Sequence, residues 1–360
     1  MMMNPVVAEI SRSALKHNFD RVKQLAPNAK VLAMLKANAY GHDAFEVANT
    51  LSMADAFGVA RISEALQLFK AGINKPMVLM EGCFNQQELT AAINHGFEVV
   101  IQNQQQLQQL VAAQAKPNSV KVWLKLETGM HRVGANVEQA ATIITTLKNC
   151  SHVHNDITVV THFACADEPD LINNSQQLDK FNQATQGMNI LRSCANSAAI
   201  IAQPNSHFDW VRPGLMLFGS SPLSGSVAKE HDLKPAMRLC SQVIAVNHIN
   251  AGEYVGYGAK WQAQQATNIA VVAMGYGDGY PRHAKNGTPV LINGQRLPMV
   301  GRVSMDMLTV DIGDAEVSIG DQVILWGPEL PAEEVARHAE TISYELFCNV
   351  ASRVQKVFVD

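Results

Sequence analysis

From about residue 10 to 220, short apolar runs alternate with longer stretches in which apolar residues recur every three to four positions. The runs fall at 31–36, 57–60, 77–81, 98–101, 120–126, 157–162, 190–195 and 211–218. A short continuous apolar run fits a strand buried on both faces, whereas a 3.6-residue period fits an amphipathic helix. "SRSALKHNFDRVKQL", "ISEALQLFKAG" and "QQLQQLVAAQA" carry the helical spacing. Asn74-Lys75-Pro76 and Lys116-Pro117-Asn118 break helices just ahead of two of the runs, as a βα repeat requires. Eight runs with helical crossovers predict a (β/α)8 TIM barrel. An open doubly wound sheet would give the same alternation, so the strand count decides. The Gln-rich "QNQQQLQQL" keeps Leu107, Leu110 and Val111 at helical spacing, and is read as a solvated barrel helix rather than a low-complexity segment.

After "SSPLSGS" the texture changes to short alternating runs: "SQVIAVNHI", "NIAVVAMGY", "PVLINGQRLPMV", "LTVDIG" and "DQVILWG". Asn293-Gly294 between two of them is a strong hairpin signal. The expected organisation is an α/β chain. An N-terminal barrel over residues 1–230 is followed by a mostly-β domain over 231–360, with the boundary near 220–235.

Composition narrows the partners. Charged residues make up 17% and the formal net charge is −4, which offers no basic field for nucleic acid. No apolar run approaches the roughly 20 residues of a membrane helix. "MMMNPVVAEISRSAL" lacks the charged and apolar regions of a secretory leader. Six scattered cysteines form no C-x-x-C pair, and reduced thiols in a cytoplasmic protein are expected.

In a (β/α)8 barrel, reactive groups stand at the C-terminal ends of strands. Lys36 ends the first run, Lys125 lies near the end of the fifth and His162 ends the sixth. Asn196-Ser197 follow the seventh, and Arg212-Pro213-Gly214 lie in the eighth. Singly, each has a structural reading: a snorkelling lysine, a hydrogen-bonded histidine, a helix cap, a surface ion pair. Together they converge on one mouth. Barrels commonly bind phosphate in the loops after strands 7 and 8, where Ser197 supplies a hydroxyl and Gly214 lets backbone N–H groups approach an anion. A lysine across that mouth suggests a phosphorylated aldehyde held as a Schiff base, and pyridoxal phosphate fits. "MGYGDGY" lacks G-x-G-x-x-G spacing, and Pro281 follows where a helix would open. His152-x-His154 precedes the sixth strand, at the wrong end for chemistry, so no metal site is expected.

The motifs "VLAMLKANAYGHD", "LKLETGMHRVG", "THFACADEP", "DWVRPGLMLFG", "VGYGAKW", "GYGDGYPR" and "GRVSMDM" run in order along essentially the whole chain. Together they resemble the bacterial alanine racemase family. That resemblance implies a pyridoxal-phosphate enzyme of barrel-plus-β-domain build, working as a head-to-tail homodimer with shared active sites. By motif, Lys36 resembles the lysine that bonds the cofactor. Tyr40, Ser197, the Gly214–Leu215 backbone and Tyr344 resemble its phosphate ligands. Tyr257 resembles the second base, supplied by the other subunit. Arg132 is similar to the arginine that contacts the cofactor's phenolic oxygen and the substrate carboxylate. Met305 and Asp306 resemble the wall beside that carboxylate, and Tyr276 an entryway tyrosine. Lys125 is similar to a lysine often carbamylated in the family. His162 and Arg212 resemble the groups behind the tyrosine base, with Arg212 also at the pyridine nitrogen.

Racemisation removes a proton from one face of Cα and delivers one to the other, so two opposed bases are a direct solution. An unperturbed phenol titrates near 10, so a tyrosine base needs a positive field or a proton network. The resemblance thus implies L-/D-alanine interconversion supplying peptidoglycan. A racemase of broader specificity is the alternative, since sequence does not measure the pocket. A related decarboxylase would carry a cysteine-bearing partner loop, which is not found. A non-catalytic cofactor carrier would lack the β domain. Glu127 stands where the family often has aspartate, and Gln355 where proline is common. His42 has no expected role beyond the turn.

Overall fold

The computed structural model describes residues 5–360; the first four residues of the stretch read for a leader lie outside them. Strand β1 (Val7–Ser11) opens the chain. The barrel then begins with β2 (Lys30–Met34), β3 (Ala56–Val59), β4 (Met77–Leu79), β5 (Glu98–Ile101) and β6 (Val122–Glu127). A two-residue β7 (Ala135–Asn136) hangs off β6, and β8 (Thr158–Val160), β9 (Leu191–Ser193) and β10 (Trp210–Val211) complete the ring. All these neighbours pair in parallel, with Leu32 against Ala56 and Trp123 against Thr158. β10 returns to β2 through Trp210 and Lys30. The β9–β10 seam is joined by Arg212 N–H to the Ala195 carbonyl at 2.9 Å and Ser193 Oγ to the Trp210 carbonyl at 2.9 Å. Parallel strands enclosed by helices are buried on both faces, and β3, β4, β5 and β8 are buried throughout. That is why eight apolar runs announced them.

Strand ends differ from the pattern where backbone chemistry intervenes. The eighth run, expected over 211–218, gives a strand only at Trp210–Val211. Pro213 has no N–H to donate, and Leu215–Phe218 winds instead into a 3-10 turn ended by Gly219 at φ +71°. A Cβ on Gly219 would lie 1.8 Å from the Lys234 carbonyl oxygen, so the close approach demands glycine.

The second sheet contains β11 (Met237–Ile249), β12 (Thr267–Val272), β13 (Pro289–Ile292), β14 (Gln295–Val300), β15 (Leu308–Asp311), β16 (Gln322–Trp326) and β17 (Gln355–Val359). Its order is β12-β15-β14-β13-β16-β11-β1-β17, and β11 also pairs β12, which closes six strands on themselves. Register shifts at Leu239/Cys240 and Val243/Ala245 bend the long β11 so that one strand serves both seams. Asn293 and Gly294, at φ 51° and 76°, form the expected hairpin turn. β1 lies in this sheet rather than among the barrel's eight strands, antiparallel to β11 and parallel to β17. The structure is thus a parallel eight-stranded barrel with a mostly-β domain.

Between them runs a segment pinned by a buried carboxylate: Glu333 accepts the N–H groups of Ser221 at 2.6 Å and Ala228 at 3.1 Å. Glu333→Leu leaves both donors buried without acceptors and is expected to cost about 2–4 kcal/mol of stability, read from urea unfolding midpoints.

Candidate active site

β2 ends at Met34, two residues before Lys36. Beyond Lys36 the chain winds into a left-handed turn: Ala37, Asn38, Ala39 and Tyr40 take φ of 53°, 54°, 52° and 51°. Non-glycine residues pay about 1–2 kcal/mol each for that conformation, and consecutive examples are unusual. The surroundings impose it. Glu64 Oε1 accepts the Ala37 N–H at 2.7 Å, while its Oε2 holds the N–H of Ala60 at 2.7 Å. Asn38 Oδ1 accepts the Ala44 N–H at 2.8 Å, and Asp43 caps the next helix through Phe45 and Glu46. Gly41 continues the turn at φ +78°, and a Cβ there would meet the Phe347 carbonyl oxygen at 2.0 Å. The turn is therefore wedged against the helix Ser343–Asn349 of the second domain. It sends Lys36 and Tyr40 to one cavity of about 440 Å³.

The same cavity is lined by Lys125, Arg132, His162, Ser197, Arg212, Gly214, Leu215 and Tyr344. Arg212 is buried and donates to Ser193 Oγ at 2.8 Å, to the Thr161 carbonyl at 2.6 Å and to the Cys194 carbonyl at 3.1 Å. It also lies 3.3 Å from His162 Nδ1. A guanidinium only donates, so Nδ1 is the acceptor and the imidazole proton resides on Nε2. Burial, then Arg212 and Lys125, holds His162 well below its ordinary pKa and therefore neutral. Burial lowers Arg212 to about 10, still protonated at neutral pH. Lys36 stays reachable from solvent, yet enclosure, followed by the Arg132 charge, lowers its pKa against the opposing pull of Glu81. Burial pushes Tyr344 up to about 12 and Tyr40 higher still, so both phenols remain donors.

At one end of the cavity Ser197 Oγ accepts the N–H of Gly214 at 2.8 Å and lies 3.4 Å from the N–H of Met216. A Cβ at Gly214 would sit 2.5 Å from the Tyr40 hydroxyl oxygen, so only glycine leaves that corner open. Two phenol donors, a serine hydroxyl, a bare glycine backbone and four nearby cationic side chains suit a phosphorylated anion. A lysine with a lowered pKa in the same cavity suits a carbonyl. The residues present fit pyridoxal phosphate.

Four expected site residues are elsewhere. Tyr257, Tyr276, Met305 and Asp306 all belong to the second domain, are exposed and line no part of this cavity. Tyr276 and Met305 are bound to one another's loops, with Tyr276 N–H to the Ser304 carbonyl at 3.0 Å and Gly277 N–H to the Met305 carbonyl at 2.8 Å. Arg353 staples the pair, reaching Asp278 at 2.7 Å and Asp306 at 2.8 Å. Sequence reasoning passed over Arg353 and Glu64. The helix-start position of Glu64 was visible, but its reach across to Ala37 was not.

A nearly closed parallel barrel with a lysine and a phosphate-type cradle in its mouth, joined to a β domain, defines a class of two-domain barrel enzymes. Residues 10–222 match the alanine racemase N-terminal domain, and residues 236–358 match the alanine racemase C-terminal domain. The alanine racemase of Shewanella woodyi is 52% identical over 349 residues, covering 96% of this chain and 97% of that protein. That of Aliivibrio salmonicida is 46% identical over 358 residues, covering 99% and 100%. The biosynthetic alanine racemase structure from Pseudomonas aeruginosa matches with a TM-score of 0.96 at 42% identity, covering 99% and 100%. The alanine racemase of Bartonella henselae, solved with covalently bound pyridoxal phosphate, matches with a TM-score of 0.89 at 27% identity and covers 99% and 100%. The chain belongs to the alanine racemase family, and its enzyme class is that of an isomerase.

Lys125 carries a pH signature. Burial, then Arg212, Arg132 and Lys36, lowers it from 10.5 to about 8. Between those values the unfolded chain holds more protons than the folded one, so this group's contribution to stability rises with pH. Below about 8 its full penalty stands. In bicarbonate-free buffer, the stability gained by Lys125→Met over wild type is expected to be largest near pH 7 and to shrink toward pH 10, read by urea unfolding.

Proposed function

We propose that the protein interconverts L- and D-alanine with pyridoxal phosphate, as a head-to-tail homodimer in the cytoplasm, supplying D-alanine for peptidoglycan. The observation that carries this is that Lys36 and the Ser197–Gly214 cradle line one and the same cavity, while Tyr257 is 69% exposed on the other domain. A catalytic tyrosine displayed to solvent on a different domain suits a site completed by a second subunit.

Tyr40, Tyr344, Ser197 and the Gly214–Leu215 backbone would hold the phosphate, and Arg212 the ring nitrogen. Bound pyridoxal phosphate would draw electron density from the substrate Cα and acidify its proton. Lys36, its pKa already lowered, moves a proton at one face through Nζ. Tyr257 of the partner subunit moves one at the opposite face through its phenolic oxygen. Arg132 orients the substrate carboxylate, with Met305 and Asp306 forming the facing wall and Tyr276 the approach. Neutral His162, receiving a hydrogen bond from Arg212 at Nδ1, keeps its Nε2–H as a donor without adding charge to the cluster. Lys125 lies where a carbamate would offset the surrounding cations and orient Arg132. The β domain and lysine argue for a racemase over a cofactor carrier. No helix among the described residues is long and apolar enough to cross a membrane.

The test is racemisation measured from both L- and D-alanine. Lys36→Ala is expected to abolish it and to lose borohydride-fixable cofactor; a cofactor still fixed in that variant at another lysine overturns the assignment. Tyr257→Phe is expected to lose about 10²–10⁴-fold in both directions. Mixing the two inactive variants should restore activity through heterodimers carrying one intact site, and no recovery after confirmed subunit exchange would argue against shared sites.

A further inference from the structure

His42 is completely buried, carries a titratable ring and has no place in the mechanism above. Its Nδ1 lies 2.8 Å from the backbone carbonyl oxygen of Tyr40. A carbonyl only accepts, so the proton of the imidazole is on Nδ1, and Nε2 is the nitrogen left without a partner among the described residues. Burial keeps the ring neutral until about pH 4, so this arrangement does not change over ordinary conditions.

The ring is also fixed from its faces. It stacks on Phe218 with centroids 4.5 Å apart and meets Phe347 edge-on at 5.2 Å. Phe218 in turn packs on the Tyr40 ring at 5.0 Å, and Tyr40 packs on Tyr344 at 5.7 Å. The two phenols assigned to the phosphate and the imidazole are thus parts of one aromatic cluster. That cluster draws on the turn after β2, the 3-10 turn after β10 and the helix Ser343–Asn349.

The hydrogen bonding of the left-handed turn shows where the imidazole matters. The carbonyls of Ala37, Asn38 and Ala39 accept backbone N–H groups from Gly41, Asp43 and His42, at 3.0, 3.2 and 3.0 Å. The carbonyl of Tyr40, the last non-glycine residue of the turn, receives its hydrogen bond from the His42 side chain. Relaxation of Tyr40 out of the left-handed region would swing its side chain away from the corner opened by Gly214.

We propose that His42 is a positioning residue for the cofactor phosphate: its Nδ1–H locks the Tyr40 backbone left-handed and so aims the phenol into the Ser197–Gly214 cradle. The proposal rests on the reading of Tyr40 as a phosphate ligand. It explains why a histidine occupies the position. A phenylalanine would keep the stack but not the donor, and an asparagine would keep the donor but not the stack.

The experiment compares His42→Phe and His42→Asn with wild type. The bound cofactor is removed, and each protein is titrated back with pyridoxal phosphate and, separately, with pyridoxal, which lacks the phosphate. His42→Phe is expected to bind pyridoxal phosphate about five- to tenfold more weakly, the loss of one backbone hydrogen bond, with pyridoxal affinity unchanged. His42→Asn should recover most of that loss, because its amide can donate to the same carbonyl. An equal loss for both ligands means a merely structural role and overturns the proposal. So does unchanged affinity in His42→Phe, or an asparagine variant that folds with wild-type Tm yet recovers nothing. Tyr40→Phe run alongside separates the two levels. If it leaves the preference for pyridoxal phosphate over pyridoxal intact, the Tyr40 reading fails and this proposal with it. If Tyr40→Phe lowers the preference and His42→Phe does not, the positioning role alone fails.

Discussion

Confinement of positive charge at the mouth of the barrel governs the chemistry of the rest. Lys36, Lys125, Arg132 and Arg212 line one cavity, and their charges add to desolvation in lowering the pKa values of Lys36, Lys125 and His162. Desolvation is the larger cause at each of them. An anion entering the cavity would relieve the repulsion among those charges, so the arrangement that helps tune the lysine also favours an anion there. Neutral His162 beside Arg212 is a further product of it, because a second buried cation there would add to the strain.

Much of the fold was legible because parallel strands buried on two faces leave an unambiguous mark, short continuous runs of apolar residues. The eighth run overreached because apolarity alone does not distinguish a strand from a 3-10 turn, whereas Pro213 and Gly219 do. β1 was invisible as a sheet member of the second domain: "VAEIS" is five residues long, and its antiparallel partner Met237–Ile249 lies far along the chain. Nothing local ties the two.

The candidate site was legible in part. Lys36, Lys125, His162, Ser197, Arg212 and Gly214 could be placed at strand ends from pattern alone, and the structure brings them to one cavity. Arg132, Tyr40 and Tyr344 needed the family resemblance. The conformation joining Lys36 to Tyr40 was beyond either route. Ala37 and Ala39 carry no preference for φ near 53°, and only Asn38 and Gly41 hint at a turn of that hand. What enforces it is tertiary: Glu64 from a neighbouring βα unit and the helix Ser343–Asn349 pressed on Gly41.

The placement of β1 bears on how the molecule comes to exist. Val7 pairs with Cys240 on one side and Gln355 on the other, so the first strand to be synthesised waits for partners made near the end. At about 5–20 residues per second, that wait is roughly ten seconds or longer. Throughout it, a strand with an apolar face has no sheet to join, while the barrel's sequential βα units can pair as they emerge. The nascent chain can thus pair its barrel strands early, whereas the cavity, which needs Tyr344, and the fastening of the two ends both wait for the last residues. The interval before that fastening is when an unpaired edge is open to a chaperone, or to another copy of the same chain.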